Sequence, residues 1–171
     1  MRGDPGIGKS RLAAAAAEMA EACGRPVLEL IGSPFHTDAG LRPVRTLLER
    51  RCGFERSTSS GERLRLLEAE LAAVGLDPVT AVPLLAPVLG IGTEHGYEPV
   101  DAEGRKLYEL ISQAVQRYLL ACIGSGAGLL VAEDVHWFDP STMEVLGAVL
   151  EAGAGRLLVV ATGRPGEWLP A

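Results

Sequence analysis

Gly3-Asp4-Pro5-Gly6-Ile7-Gly8-Lys9-Ser10 fits the pattern G-x-x-x-x-G-K-[ST] and stands only two residues into the chain. The pattern describes a phosphate cradle. A triphosphate packs several negative charges into a small volume, so its site needs many N–H donors at short range. Glycines let the backbone curl until successive amides point inward, and they remove the Cβ atoms that would meet the phosphates. A helix beginning just after them adds the positive end of its dipole. Lys9 then reaches the β- and γ-phosphates as a point charge, and the Ser10 hydroxyl ligates Mg²⁺. Arg11, Leu12 and an alanine run carrying Glu18, Met19 and Glu21 follow, which predicts a helix over residues 9–23 closed by Gly24.

Outward from the loop, helices alternate with short apolar runs. Residues 26–31 (PVLELI), 129–132 (LLVA) and 157–161 (LLVVA) read as buried strands. Helical spacing appears over 41–51, over 62–74 with Leu64, Leu67 and Leu71 on one face, and over 102–122. Residues 78–89, broken by Pro83 and Pro87, predict one or two short helices. The serine- and threonine-rich stretch 53–61 predicts a mobile surface loop. Asp139-Pro140 reads as an N-cap and first helical position for a helix to about residue 152. Short, wholly apolar strands separated by helices argue for a parallel sheet covered on both faces, an α/β fold in a single domain.

A phosphate loop needs an acid at the end of a neighbouring strand to orient Mg²⁺. Leu129-Leu130-Val131-Ala132-Glu133-Asp134 supplies a pair. Glu133 stands where the metal-orienting carboxylate belongs. Asp134 stands where a longer glutamate would polarise attacking water, and its shorter reach predicts slow hydrolysis. The plainer alternative is a strand whose end charges are merely solvated. Thr162-Gly163-Arg164 ends the next strand, where parallel sheets bind ligands. There a hydroxyl and a guanidinium distinguish triphosphate from diphosphate, unless Arg164 is only an exposed strand-end charge.

Composition narrows the classes. The 171 residues suit one domain, and 47% hydrophobic content excludes global disorder. A net charge of −6 argues against a broad nucleic-acid face. The three cysteines, Cys23, Cys52 and Cys122, are scattered and read as free thiols of a reducing cytoplasm. His36, His95 and His136 show no metal-ligand spacing with them. No run is long enough for a transmembrane helix, and the alanine run is interrupted by acids as no signal peptide is.

GDPGIGKSRL, GSPFHTDAGLRPV, VAEDVHWFDPST and LLVVATGRP together resemble the ATPase domain of the STAND branch of AAA-related P-loop ATPases. This is the origin-recognition-complex-like domain of LuxR-type regulators and of proteins carrying adenylate/guanylate cyclase domains. The resemblance covers nearly the whole chain. It implies a three-layer αβα P-loop NTPase with a parallel sheet, acting as an ATP-driven switch in a larger multidomain signalling or transcriptional regulator. Nucleotide-dependent oligomerisation and no direct DNA contact by this domain go with it. By matching position Gly8, Lys9 and Ser10 hold phosphate and Mg²⁺, Glu133 and Asp134 form the acidic pair, and Arg164 senses the γ-phosphate. Arg11 and Thr162 complete the candidate nucleotide site. His136 and Trp137 match the family's His-Trp, in either a switch or a packing role.

The chain departs from the family at both ends. Only Met1 and Arg2 precede the loop, where a strand belongs, and seven residues follow Arg164, where a C-terminal helical lid belongs. The resemblance therefore implies an incomplete domain with weakened activity. A non-hydrolysing binding or scaffold element is the competing expectation. A small phosphotransferase lacks a recognisable acceptor site.

Overall fold

The structure, a computed structural model, describes residues 1, 3, 6–34 and 40–164. Among the described residues, six α-helices and three strands follow in the order α1 (Lys9–Ala22), β1 (Val27–Ile31), α2 (Arg42–Arg51), α3 (Ser60–Ala73), α4 (Pro78–Leu85), α5 (Gly104–Ile123), β2 (Gly128–Glu133), α6 (Pro140–Ala152) and β3 (Leu157–Ala161). The strands form one parallel sheet in the order β1-β2-β3. All three expected strands are present, and the mixed α/β class with a parallel sheet is what their apolar character required.

Side-chain alternation along β2 divides the molecule into layers. Leu130 and Ala132 face the large core, with Leu28 and Leu30 of β1 and the buried faces of α2 to α6. Leu129 and Val131 face the other way and meet Ala13 and Ala17 of α1, flanked by Ala16 and Ala20. Helices thus cover both faces of the sheet. Alanines at the helix contact let α1 lie close on β2, because no longer side chain holds the two apart.

One expectation shifts in detail. The stretch 53–61 is not simply loop: the Ser59 hydroxyl accepts from the Glu62 amide and caps α3, and Thr58 bonds Glu55 through both its hydroxyl and its amide. Serine and threonine here satisfy a helix end, a use their composition shares with linkers. Residues 78–89 split into α4 and a 3₁₀ turn over Pro87–Leu89, as proline punctuation predicts. The Asp139 cap stands as expected, with its side chain accepting from the Thr142 amide.

At the edge of the sheet, Leu158 on the α1 face of β3 is 66% exposed. Met1 pairs with the carboxyl end of that edge: its amine donates to the Ala161 carbonyl, and its own carbonyl accepts from the Gly163 amide. No helix among the described residues is long and apolar enough to cross a membrane.

Candidate functional site

The loop before α1 is built on two left-handed glycines, Gly6 (φ 85°) and Gly8 (φ 91°). A Cβ at either would meet nothing within 4 Å, so conformation rather than space requires glycine there. Gly8 is the N-cap of α1 and supplies no capping side chain, and the first turn holds no acid. The first helical bond, from the Leu12 amide to the Gly8 carbonyl, is 3.1 Å long. The amides ahead of it therefore lie outside the helical ladder, at the positive end of the helix. Lys9 Nζ folds back and donates to the Gly3 carbonyl at 2.7 Å. Within the loop, Asp4 and Pro5 lie outside the described residues, as do Phe35 and His36 of the later His-containing segment.

The carboxyl ends of all three strands are knitted together beside this loop. Thr162 donates its amide to the Ala132 carbonyl at 2.8 Å and accepts the Val135 amide on its own carbonyl at 3.0 Å. Its hydroxyl oxygen accepts the Asp134 amide at 3.1 Å. The Gly32 amide donates to the Glu133 carbonyl at 2.9 Å. Asp134 is left-handed, at φ 51° and ψ 45°, a conformation uncommon for a residue with a side chain. Gly32 is indispensable to that turn, since a Cβ on it would come within 2.4 Å of the Asp134 carbonyl oxygen. Gly32 opens the GSPFHTDAGLRPV segment quoted above, but sequence reasoning assigned it no role of its own.

Beyond the acids, a 3₁₀ turn over Val135–Trp137 carries the His-Trp pair. The Arg164 guanidinium carbon lies 5.8 Å from the Trp137 ring centroid, within cation–π range. The Arg164 amide donates to His136 Nδ1 at 3.4 Å. Burial pulls the His136 imidazole below its ordinary pKa, with nearby Arg164 and Lys9 adding to the effect and Asp134 opposing it.

These parts enclose an open cavity of about 390 Å³ lined by Gly6, Gly8, Lys9, Ser10, Arg11, Asp134 and Arg164. Three cations, a helix N-terminus, a hydroxyl and one carboxylate line it, so positive charge predominates at its wall. A roomier groove, about 440 Å³ beside α3 and α4, is lined by Val79, Val82, Pro83 and Tyr97 with Glu68 and Glu98, the wrong chemistry for phosphate. Among the expected site residues, Glu133 and Thr162 do not line the cavity. Glu133 is half-buried at the end of β2, on the α1 face by alternation with Leu129 and Val131. Thr162 is buried and turned onto the Asp134 amide. Ile7 is 61% exposed at the loop tip, and Gly3 enters only through its carbonyl.

Compared with known proteins, the chain is 27% identical over 179 aligned residues to an uncharacterized protein of Rhizobium meliloti (strain 1021). The match takes in 100% of this chain and 17% of that protein, so the chain spans about a sixth of its relative's length. No family model and no solved structure matches the chain.

Proposed function

We propose that the chain is the nucleotide-binding core of an ATP-driven switch, a P-loop ATPase module of the STAND type within a larger signalling or transcriptional regulator. One observation supports this above the others. The glycine loop with its Lys9, the acid-bearing turn and Arg164 come from three separated parts of the sequence, yet they line one cavity.

The chemistry follows from the residues. Amides of the loop and of the first turn of α1 receive phosphate oxygens, and Lys9 exchanges the Gly3 carbonyl for them. Ser10 is the hydroxyl at the cavity wall suited to Mg²⁺, and Glu133 ends β2 on the sheet face that α1 covers. A bound Mg²⁺ would neutralise charge developing between the β- and γ-phosphates. Arg164, just past the end of β3, lines the same cavity, and its guanidinium suits the terminal phosphate. Asp134 is the carboxylate nearest an attacking water. Its short side chain and pinned backbone hold that water loosely, which makes hydrolysis slow.

The retreat of Glu133 from the cavity wall favours a second reading, a module that binds nucleotide without hydrolysing it. Titration with a fluorescent ATP analogue and single-turnover hydrolysis separate these. Lys9→Ala should weaken ATP binding by about 10- to 100-fold, the scale of a lost charge-assisted contact. Binding with no turnover selects the non-hydrolysing module. Equal behaviour of wild type and Lys9→Ala would defeat the nucleotide reading.

A further inference from the structure

Neither the phosphate contacts nor the acids of the site account for His136. Its ring sits between the acid-bearing turn and Arg164, 85% of its side chain covered. Nε2 is buried and has no hydrogen-bond partner among the described residues. The ring's orientation is therefore set at Nδ1, where two neighbours make opposite demands. The Arg164 amide, at 3.4 Å, needs a lone pair. The Asp134 carboxylate, with Oδ1 at 4.0 Å, needs a proton. A neutral imidazole has one nitrogen of each kind, so Nδ1 serves one neighbour at a time. Its distances place it with Arg164, which puts the proton on Nε2.

We propose that His136 is a positioning residue for Arg164. Its Nδ1 holds the Arg164 backbone while Trp137 lies under the guanidinium, and the grip depends on Asp134 being directed into the cavity. The ring and the indole, with centroids 4.9 Å apart, form one cradle that fixes the arginine at two points. When the Asp134 carboxylate is drawn toward bound ligand, nothing competes for Nδ1 and Arg164 is held over the terminal phosphate. When Asp134 turns back to the imidazole, Nδ1 takes up a proton from solvent while Nε2 keeps its own, the imidazolium pairs with the carboxylate, and the Arg164 amide is released. Acid and arginine are thereby linked through one side chain that touches no phosphate. This regulation rests on the nucleotide reading of the cavity.

Two measurements test it on the full chain. The first needs no nucleotide: ¹⁵N correlation spectra of the imidazole should show the neutral Nε2–H tautomer. The second compares ATP with ADP affinity in wild type, His136→Phe and His136→Asn, each checked for an unchanged thermal midpoint. Phenylalanine keeps the ring packing and removes the acceptor, so preference for ATP should fall about three- to tenfold, one hydrogen bond's worth. Asparagine places an oxygen near the position of Nδ1 and should restore the preference to within about twofold. An Nδ1–H tautomer, an unchanged His136→Phe, or a His136→Asn as impaired as the phenylalanine variant would overturn the positioning role alone. A wild-type chain that binds neither nucleotide while showing the Nε2–H tautomer would overturn the underlying reading and this role with it.

Discussion

The buried Asp139 carboxylate accepts three hydrogen bonds: the Thr142 amide at 2.9 Å, the Thr142 hydroxyl, and the Leu41 amide at 3.0 Å. The first two cap α6. The third fixes the residue that opens α2, and Leu41 is itself left-handed at φ 60°. Asp139→Ala should therefore cost more than a lost cap. About 1 kcal/mol for the cap plus 1–3 for the stranded Leu41 amide gives a loss of about 2–4 kcal/mol in urea unfolding. Asp139→Asn, which keeps one acceptor oxygen, should lose less than half of that. Equal losses for the two variants would mean that charge, not acceptor geometry, carries the effect. The cap was legible because Asp-Pro before an apolar periodicity is a local signal. The bond to Leu41 was not, since it joins residues 98 positions apart and follows only from packing. Thr162 teaches the same lesson: its place at a strand end could be read, but which way its hydroxyl turns could not.

At the scale of the element, α1 connects packing to the site. Its alanine run reads from propensity as a strong helix, and Lys9–Ala22 is helical. What propensity leaves out is that Ala13 is fully buried against Leu129 and Val131 of β2. The small side chain sets the height of the helix above the sheet, and through Gly8 the height of the glycine loop before it. Ala13→Leu must then push α1 outward. We expect a loss of about 1–3 kcal/mol in stability, the usual cost of overpacking. A drop in ATP affinity should exceed that seen for Ala14→Leu, which changes an exposed position of the same helix. Equal affinities in the two variants would show that the loop does not depend on the height of α1. The element boundaries were legible to within a few residues wherever glycine, proline or a capping side chain marks them. The 53–61 stretch misled because serine and threonine serve linkers and helix caps alike.

For the whole molecule, the parallel sheet and its class were legible in three apolar runs, whereas the polar network joining the helical layer was not. Arg51 at the end of α2 donates through Nε to Glu70 of α3 and, at 3.1 Å, to the Tyr118 hydroxyl of α5. Tyr118 in turn donates to Glu70 at 2.8 Å. Cys52 and Cys122 belong to the same region of the core, and both remain thiols. Burial, chiefly, raises the Cys52 thiol from 9.0 to about 12, and burial likewise pushes the Cys122 thiol and the Tyr118 phenol upward. An acid whose folded pKa is raised keeps its proton in the native state after the unfolded chain has lost it. The unfolded state then binds fewer protons, so stability declines with rising pH. The decline begins near pH 9 for the cysteines and near pH 10 for Tyr118, where their unfolded forms ionise. Each group contributes a slope of at most about 1.4 kcal/mol per pH unit. Denaturant unfolding should thus be flat in these groups from pH 7 to 8 and steepen above pH 9. Cys52→Ala, though less stable at pH 7, should show a shallower alkaline decline because one titrating group is gone. A wild-type curve that stays level to pH 10.5, or a Cys52→Ala curve parallel to it, would mean that solvent reaches this junction of α2, α3 and α5 in the folded protein.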